Sequence, residues 1–296
     1  MNEWVEAMRA GRFADAWAMS DAALAQRAAE TRDDPALPYH LRWVWDGTPL
    51  DGRDVLVRCY HGLGDTIQFA RFLPLLARRA RRVTLEVQPH LLPLLTDMPG
   101  VAALHPFDPA DPLPASDLDV EITELLHALR AAPGDAIPPY LAATPAPLPR
   151  GTIGLCYRAG DWDDARSIPP ALLAPLCEHA PVVTLVAEPT DLPVRNPEGC
   201  PFDIGETAAL IAGVDLVITV DTMIAHLAGA LGKPTWVLLK SDPDWRWCPR
   251  RTDTPWYPAT RCFTQPAAGD WPGLLALVEE ELRGWAAHPA QGPDRP

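Results

Sequence analysis

The sequence predicts an α/β protein made of two halves, each with its own parallel sheet. The first observation is an alternation of short apolar runs with helical segments that begins at Val55. The second is a stretch rich in proline and alanine, residues 137–151, after which the same alternation starts again. Alternating strands and helices are typical of parallel sheets with right-handed crossovers. We therefore expect two Rossmann-like domains joined by a proline-rich linker.

Two helical segments that break at Gly11 precede the first half. They read NEWVEAMRA and RFADAWAMSDAALAQRAAETR, and their spacing of small and aromatic residues is similar to one tetratricopeptide unit. A single unit cannot form a solenoid, because each repeat buries its apolar face on neighbouring repeats. Residues 1–40 are therefore predicted to form a helical hairpin that caps the next domain.

Residues 41–145 are predicted to form the N-terminal Rossmann-like domain. Its strands are expected at VLVRCY (55–60), VTLEV (83–87), VAALHPF (101–107) and LDVEI (118–122), and its helices at TIQFARFLPLLARRA, PHLLPLL and TELLHALR. In the first of these helices Phe69, Phe72, Leu73 and Leu76 recur at helical spacing.

Residues 146–272 are predicted to form the C-terminal Rossmann-like domain. Its strands are expected at TIGLCY (152–157), VVTLV, DLVITV and PTWVLL, and its helices at PALLAPLCEHA, GETAALIAGV and TMIAHLAGALG. A helix over residues 273–288 and a disordered tail, 289–296, are expected to follow.

Composition excludes several classes of function. The formal net charge of −14 argues against nucleic acid and anionic lipid as partners. No apolar run is long enough to cross a membrane, and the N-terminus lacks the apolar core of a signal peptide. The six cysteines are scattered without metal-ligand spacing, so no cysteine-bound metal is expected. Lys233 and Lys240 are the only lysines, which leaves arginines and backbone amides as the expected ligands of a phosphate.

Ligands of such folds bind at the carboxyl ends of the strands, and the first half carries HGLGD (61–65) there. Gly62 and Gly64 allow a tight turn and a close backbone approach, but the segment is neither G-x-G-x-x-G nor a P-loop. Asp65 stands where a helix N-cap is expected, so capping and catalysis both remain open. His61 and Gln68 are further candidates for the ligand cleft.

In the second half, Asp221 and Thr222 lie between a buried strand and a helix N-terminus. Free backbone N–H groups and the helix dipole favour a diphosphate there. His226 lies on the same helical face one turn later, either as a buried core residue or as a ligand. Trp245 and Arg246 follow the next strand, and tryptophans at this edge either stack on a base or sugar or pack the core.

Two segments together, GLGDTIQFARFLPLL and DLVITVDTMIAHLAGALGKPTWVLL, resemble the heptosyltransferase-type members of glycosyltransferase family nine. RAGDWDDARSIP and DWRWCPRRTDTPWYP are similar to the branch of that family often fused to tetratricopeptide repeats. The resemblance spans roughly residues 40–272. It implies a GT-B fold, in which an N-terminal acceptor domain and a C-terminal donor domain face a central cleft.

The resemblance also implies an inverting, metal-independent transfer from a nucleotide sugar, ADP-heptose or another, to a nucleophilic acceptor. The family's catalytic aspartate corresponds to Asp65. An inverting transfer needs a base for the acceptor and positive charge for the departing diphosphate, so the catalytic role of Asp65 is favoured over capping alone. Such an enzyme is expected in the bacterial cytoplasm, either free or peripheral at the inner membrane.

The donor residues that the resemblance implies lie in the second half. The family's DTxxxH signature corresponds to Asp221, Thr222 and His226, and backbone amides from Met223 onward would hold the diphosphate. Its basic residue after the first strand of the donor domain corresponds loosely to Arg166, with Arg158 as the rival.

Two other functions remain compatible with the sequence. One is a nucleotide-sugar epimerase of the same fold, and the other is a binding or scaffold module without turnover. The sequence defines neither the sugar, nor the acceptor class, nor the oligomeric state.

Overall fold

The computed structural model describes residues 2–160 and 163–287. The chain divides into two compact units, residues 1–142 and 143–296. Among the described residues, no helix combines the length and the apolar character that a membrane crossing requires.

The first unit begins with two short helices, α1 (Glu3–Arg9) and α2 (Phe13–Leu24), joined through Gly11 at φ 71°. Buried Trp17 stacks on His127 with ring centroids 5.7 Å apart, which fixes the hairpin to the rest of the unit. The second helix is shorter than predicted. Residues 29–31 form a 3-10 turn instead, in which the Thr31 hydroxyl donates to the Ala28 carbonyl at 2.8 Å, a local bond that competes with helix.

The sheet of the first unit has four parallel strands in the order β3-β2-β1-β4. The strands are β1 (Asp54–Arg58), β2 (Arg82–Val87), β3 (Ala103–Pro106) and β4 (Leu118–Glu121), which confirms all four predicted strands. The helices are α3 (Leu63–Ala70), α4 (Leu73–Ala77), α5 (Leu92–Leu95) and α6 (Leu125–Ala128). At the centre, Val57 pairs with Leu85 and Val120, and all three side chains are fully buried.

The single helix predicted over TIQFARFLPLLARRA is wrong, since α3 and α4 are separate. Pro74 has no N–H, and in a continuous helix its ring would meet the carbonyl of Ala70. Helix α4 therefore starts afresh with Pro74 in its first turn. Between the two helices, buried Arg71 donates from Nε to the Gln68 carbonyl at 2.9 Å.

The sheet of the second unit has five parallel strands in the order β6-β5-β7-β8-β9. The strands are β5 (Ile153–Cys156), β6 (Val182–Thr184), β7 (Leu216–Val220), β8 (Thr235–Leu239) and β9 (Thr260–Thr264), and the helices are α7 (Ile204–Gly213), α8 (Met223–Ala230) and α9 (Trp271–Ala287). The four predicted strands are confirmed. The edge strand β9 is not among the predicted strands.

The helix predicted over PALLAPLCEHA is also wrong. Two 3-10 helices, Pro170–Leu172 and Ala174–Glu178, take its place. Pro175 removes the N–H that a continuous α-helix would need. The last helix begins two residues earlier than predicted, at Trp271. Residue 288 and the predicted disordered tail, 289–296, lie outside the described residues.

Candidate functional site

In the first unit, the loop after β1 leads directly into α3. Gly62 is the N-cap, and Asp65, half-buried, is the third residue of the helix. Its Oδ2 accepts a hydrogen bond from the Gly62 N–H at 3.1 Å. The prediction that Asp65 occupies the N-cap position is therefore wrong, although its carboxylate does stabilise the first turn. A Cβ at Gly62 would lie 3.2 Å from that oxygen, so glycine leaves room for the carboxylate.

The end of β2 holds this loop in place. The Gln88 side chain donates to the His61 carbonyl at 2.7 Å and accepts from the Thr66 hydroxyl at 3.0 Å. Gly64, half-buried, lies in the first turn of α3. Gln68 has no exposed surface, which corrects the expectation that it lines a ligand cleft. Gln88 thus fixes the position of the loop, and of the two candidates Asp65 and Gln68 only Asp65 retains exposed surface.

His61 contacts a buried carboxylate. Its Nδ1 lies 3.0 Å from Oε1 of Glu121, whose side chain is 1% exposed. Glu121 is the last residue of β4 and also accepts hydrogen bonds from the backbone N–H groups of Tyr60 and Thr123. Burial lowers the pKa of His61, but contact with Glu121 and the nearby charges of Asp65 and Glu124 raise it above its ordinary value overall. The His61 ring is thus oriented by a carboxylate that is itself held by backbone.

A buried ion-pair network lies deeper in the same sheet. Arg58 on β1 contacts Glu86 on β2 at 2.8 Å and Asp119 on β4 at 2.6 Å. The Arg58 side chain is 4% exposed and that of Glu86 1%. The residues of this network are not among the site residues predicted from the sequence. The sequence signal is a charged residue within each of three otherwise apolar strands: Arg58 and Glu86 are register partners, whereas Asp119 is paired with Leu56. The ion pairs connect the three strands.

In the second unit, the loop after β7 carries Asp221 and Thr222. Thr222 is the N-cap of α8 in extended backbone, with φ −155° and ψ 178°, and its side chain makes no capping hydrogen bond. Thr222 and Met223 are half-buried. The helix N-terminus therefore presents its hydroxyl and first backbone amides at the carboxyl edge of the sheet, as an anion site requires.

The structure distinguishes between the two candidate arginines. Arg166 is buried, and its Nη1 donates to the Asp221 carbonyl at 2.9 Å. Arg158 points outward, with a side chain 51% exposed, and pairs with Glu188 at 3.0 Å. Arg166 is therefore the arginine that lies beside the loop after β7.

Further charged groups surround Asp221. Burial raises the pKa of Asp221 above its ordinary value, and the carboxylate of Asp244 raises it further. The Trp247 indole and the charges of Arg166 and Arg246 lower it in part. Arg246 pairs with Asp244 at 2.9 Å. Its guanidinium also lies over the half-buried Trp245 ring, 4.6 Å from the centroid. Trp245 and Arg246 thus belong to the polar surroundings of this loop.

His226 lies on the inner side of α8. It is buried, and its Nδ1 lies 2.9 Å from the Tyr257 hydroxyl. It also stacks on Trp247 with ring centroids 5.8 Å apart. A Cβ at Gly229 would come within 2.3 Å of the Tyr257 ring, so glycine is needed one turn later for the same packing. His226 therefore helps to pack α8 in the unit's interior.

Lys240, directly after β8, is a site residue that the sequence analysis does not select. Its Nζ lies 2.8 Å from Oδ2 of Asp163 in the loop after β5. The two positions are 77 residues apart, so spacing gives no signal for this contact. Within residues 2–160 and 163–287, no three His, Cys, Asp or Glu side chains are arranged to hold a metal ion.

This chain is similar in sequence to known proteins. Residues 200–256 match the model of glycosyltransferase family 9 (heptosyltransferase). Protein FlbA of Caulobacter vibrioides is 27% identical over a 331-residue alignment that covers 94% of this chain and 53% of FlbA. The chain therefore spans about half the length of this curated relative.

Two solved structures share the fold. A family 9 glycosyl transferase from Veillonella parvula DSM 2008 aligns with a TM-score of 0.55 at 13% identity, over 74% of this chain and 87% of that one. The ADP-heptose lps heptosyltransferase II of E. coli aligns with a TM-score of 0.55 at 15% identity, over 80% and 99%. The predicted GT-B type of α/β fold is confirmed. The resemblance to glycosyltransferase family nine is confirmed as well, by the match of residues 200–256 and by the shared fold.

Proposed function

We propose that this chain is a glycosyltransferase that moves a sugar from a nucleoside-diphosphate sugar to a nucleophilic acceptor, with inversion and without a metal. One observation carries the proposal. The segment that matches the family, residues 200–256, contains the loop after β7 and all of α8, and Arg166 is bonded to that same loop at 2.9 Å.

The donor diphosphate is proposed to bind at the N-terminus of α8. Backbone amides from Met223 onward and the Thr222 hydroxyl would donate to it, since Thr222 does not use its side chain to cap the helix. Arg166 would place a guanidinium beside it. The E. coli structure named above is of an ADP-heptose enzyme, which makes ADP the first nucleotide to test.

Asp65 is proposed as the general base. Its carboxylate takes the proton of the acceptor hydroxyl while the acceptor oxygen forms a bond to the anomeric carbon. The bond from that carbon to the diphosphate oxygen breaks, and its electron pair leaves with the nucleoside diphosphate. Attack on the face opposite to the leaving group inverts the anomeric configuration.

Protein cations are proposed to take the part that a metal plays in other transferases. Of the aspartates after β5, Asp163 is engaged by Lys240 and Arg166, and Asp161 lies outside the described residues. Fixed positive groups can stabilise charge that develops on the leaving diphosphate. Turnover should therefore survive EDTA, and activity that EDTA abolishes and magnesium or manganese restores would contradict this part of the proposal.

Titration calorimetry with ADP, UDP and GDP tests the donor site. The unmodified protein should bind at least one of them, and combining Thr222→Val with Arg166→Ala should abolish that binding. Incubation with the matching nucleotide sugar and a panel of acceptors then tests turnover. An inverted glycoside product supports transfer, an epimerised donor supports an epimerase, and binding without any turnover supports a scaffold module.

A further inference from the structure

Two cations in the second unit share one carboxylate oxygen. Oδ2 of Asp163 lies 2.8 Å from Nζ of Lys240 and 3.8 Å from Nε of Arg166. The other oxygen, Oδ1, accepts from the Ala165 N–H at 3.2 Å. The carboxylate thus stands between an ammonium and a guanidinium, where it balances part of their positive charge.

The position of this group in the sheet connects it to the loop of the proposed donor site. Asp163 follows β5, Lys240 follows β8, and Thr222 follows β7, which lies between those two strands. Neighbouring strands are about 4.8 Å apart, so these three carboxyl ends share one short edge. Arg166 connects Asp163 to the loop after β7, since its Nη1 donates to the Asp221 carbonyl and its Nε lies 3.8 Å from Oδ2 of Asp163.

The charges of Lys240 and Arg166 favour replacement of the Asp163 carboxylate by another anion. The hydrogen bond from Lys240 holds the pKa of Asp163 below its ordinary value, against its burial, so the carboxylate is ionised at neutral pH. The Lys240 side chain is 31% exposed, so its ammonium is within reach of a ligand. A phosphate oxygen accepts from an ammonium and a guanidinium in the way that a carboxylate oxygen does.

We propose that Lys240 is a further ligand of the donor diphosphate, and that the Asp163 carboxylate occupies the place of a phosphate oxygen until the donor displaces it. This inference rests on the proposed function, because it assigns another residue to the same donor site. It also implies that Asp163 weakens donor binding, because the donor must displace its carboxylate.

The lysine content of the chain gives a direct test. Lys233 and Lys240 are the only lysines, and Lys233 is a matched control whose Nζ donates to the Ala212 carbonyl at 3.1 Å. Acetylation of each lysine with an acetylating reagent can be followed by peptide mass spectrometry, without and with saturating ADP. ADP should slow the acetylation of Lys240 and leave that of Lys233 unchanged, because a bound ligand occludes the group that it contacts. Equal rates at Lys240 with and without bound ADP would overturn the inference.

Calorimetry with ADP gives the second test. Lys240→Gln should weaken binding by about 10-fold or more, the usual effect of losing a charge-assisted hydrogen bond, while Lys240→Arg should retain most of the affinity. Lys233→Gln should change nothing. Asp163→Asn should strengthen binding, because it removes the competing charge at nearly constant size. Melting temperatures show that each variant is folded.

The outcomes separate the two proposals. If Lys240→Gln binds ADP as tightly as the unmodified protein while the Thr222→Val and Arg166→Ala double variant does not bind, the role of Lys240 is refuted and the donor site stands. If Asp163→Asn weakens binding, the displacement by the donor is refuted. If the unmodified protein binds none of ADP, UDP and GDP, the proposed donor site itself is refuted, and the role of Lys240 with it.

Discussion

Replacement of Asp65 separates catalysis from helix stabilisation. In the structure its carboxylate accepts a hydrogen bond from the Gly62 N–H at 3.1 Å. Asp65→Asn keeps an oxygen that can accept this bond but cannot take a proton at neutral pH, whereas Asp65→Ala loses both properties. If Asp65 is the general base, both variants should lose about 10²–10⁴-fold in turnover, the usual contribution of a positioned base.

The structural effect of these variants is much smaller. Loss of a helix N-terminal hydrogen bond costs about 1 kcal/mol, which for a unit of this size lowers the melting temperature by about 2–4 °C. A domain of ordinary stability, about 5–15 kcal/mol, stays almost entirely folded after such a loss. Unfolding therefore cannot account for a hundredfold drop in rate. Asp65→Ala should therefore melt at a lower temperature, whereas the melting temperature of Asp65→Asn should hardly change. Both variants should still bind ADP.

Asp135 provides the matched control. Its Oδ2 accepts a hydrogen bond from the Ala132 N–H at 2.8 Å, so it contacts the residue three positions earlier, as Asp65 does. Asp135 is exposed and lies in the same unit. Asp135→Asn and Asp135→Ala should therefore repeat the stability effects without any effect on turnover. Initial rates and melting curves of the four variants decide the matter. A fully active Asp65→Asn protein would refute the general base and leave Asp65 as a residue that only stabilises the helix.

The strands of both sheets were predictable because buried parallel strands read as short apolar runs. β7 is LVITV, and all five of its residues are buried. The edge strand β9, TRCFT, is harder to predict because only β8 pairs with it among the described strands and because its half-buried Arg261 and Thr264 interrupt the apolar run. The two helices predicted in error share one cause. Apolar residues continue at helical spacing across Pro74 and Pro175, so the pattern hides a break that the proline backbone imposes.

The candidate site was predictable in its loops but not in its contacts. Strand ends indicate where polar groups meet, and Asp65, Thr222 and Arg166 all lie at such ends. Spacing could not choose Arg166 over Arg158, because the choice depends on which side chain turns toward the loop after β7. Nor could it show that His226 meets Tyr257, 31 residues later, since that contact depends on how a distant loop packs on α8.

Three further predictions concern stability. Arg58→Met should cost about 3–5 kcal/mol of unfolding free energy, because it leaves the buried carboxylate of Glu86 and the half-buried carboxylate of Asp119 without their cation; a urea denaturation curve like that of the unmodified protein would contradict this. Tyr257→Phe should cost about 1–3 kcal/mol by leaving buried His226 without its hydroxyl partner and should not change ADP affinity, whereas weaker ADP binding at unchanged stability would instead place His226 in the donor site. Burial raises the pKa of Glu124 from 4.5 to about 7, so the native state holds this proton at pH values where the unfolded chain releases it. The unfolding free energy should therefore fall as the pH rises through that interval. Urea denaturation at pH 5.5 and pH 8 should show a smaller fall for Glu124→Gln than for the unmodified protein, and an equal fall in both would show that Glu124 is not its source.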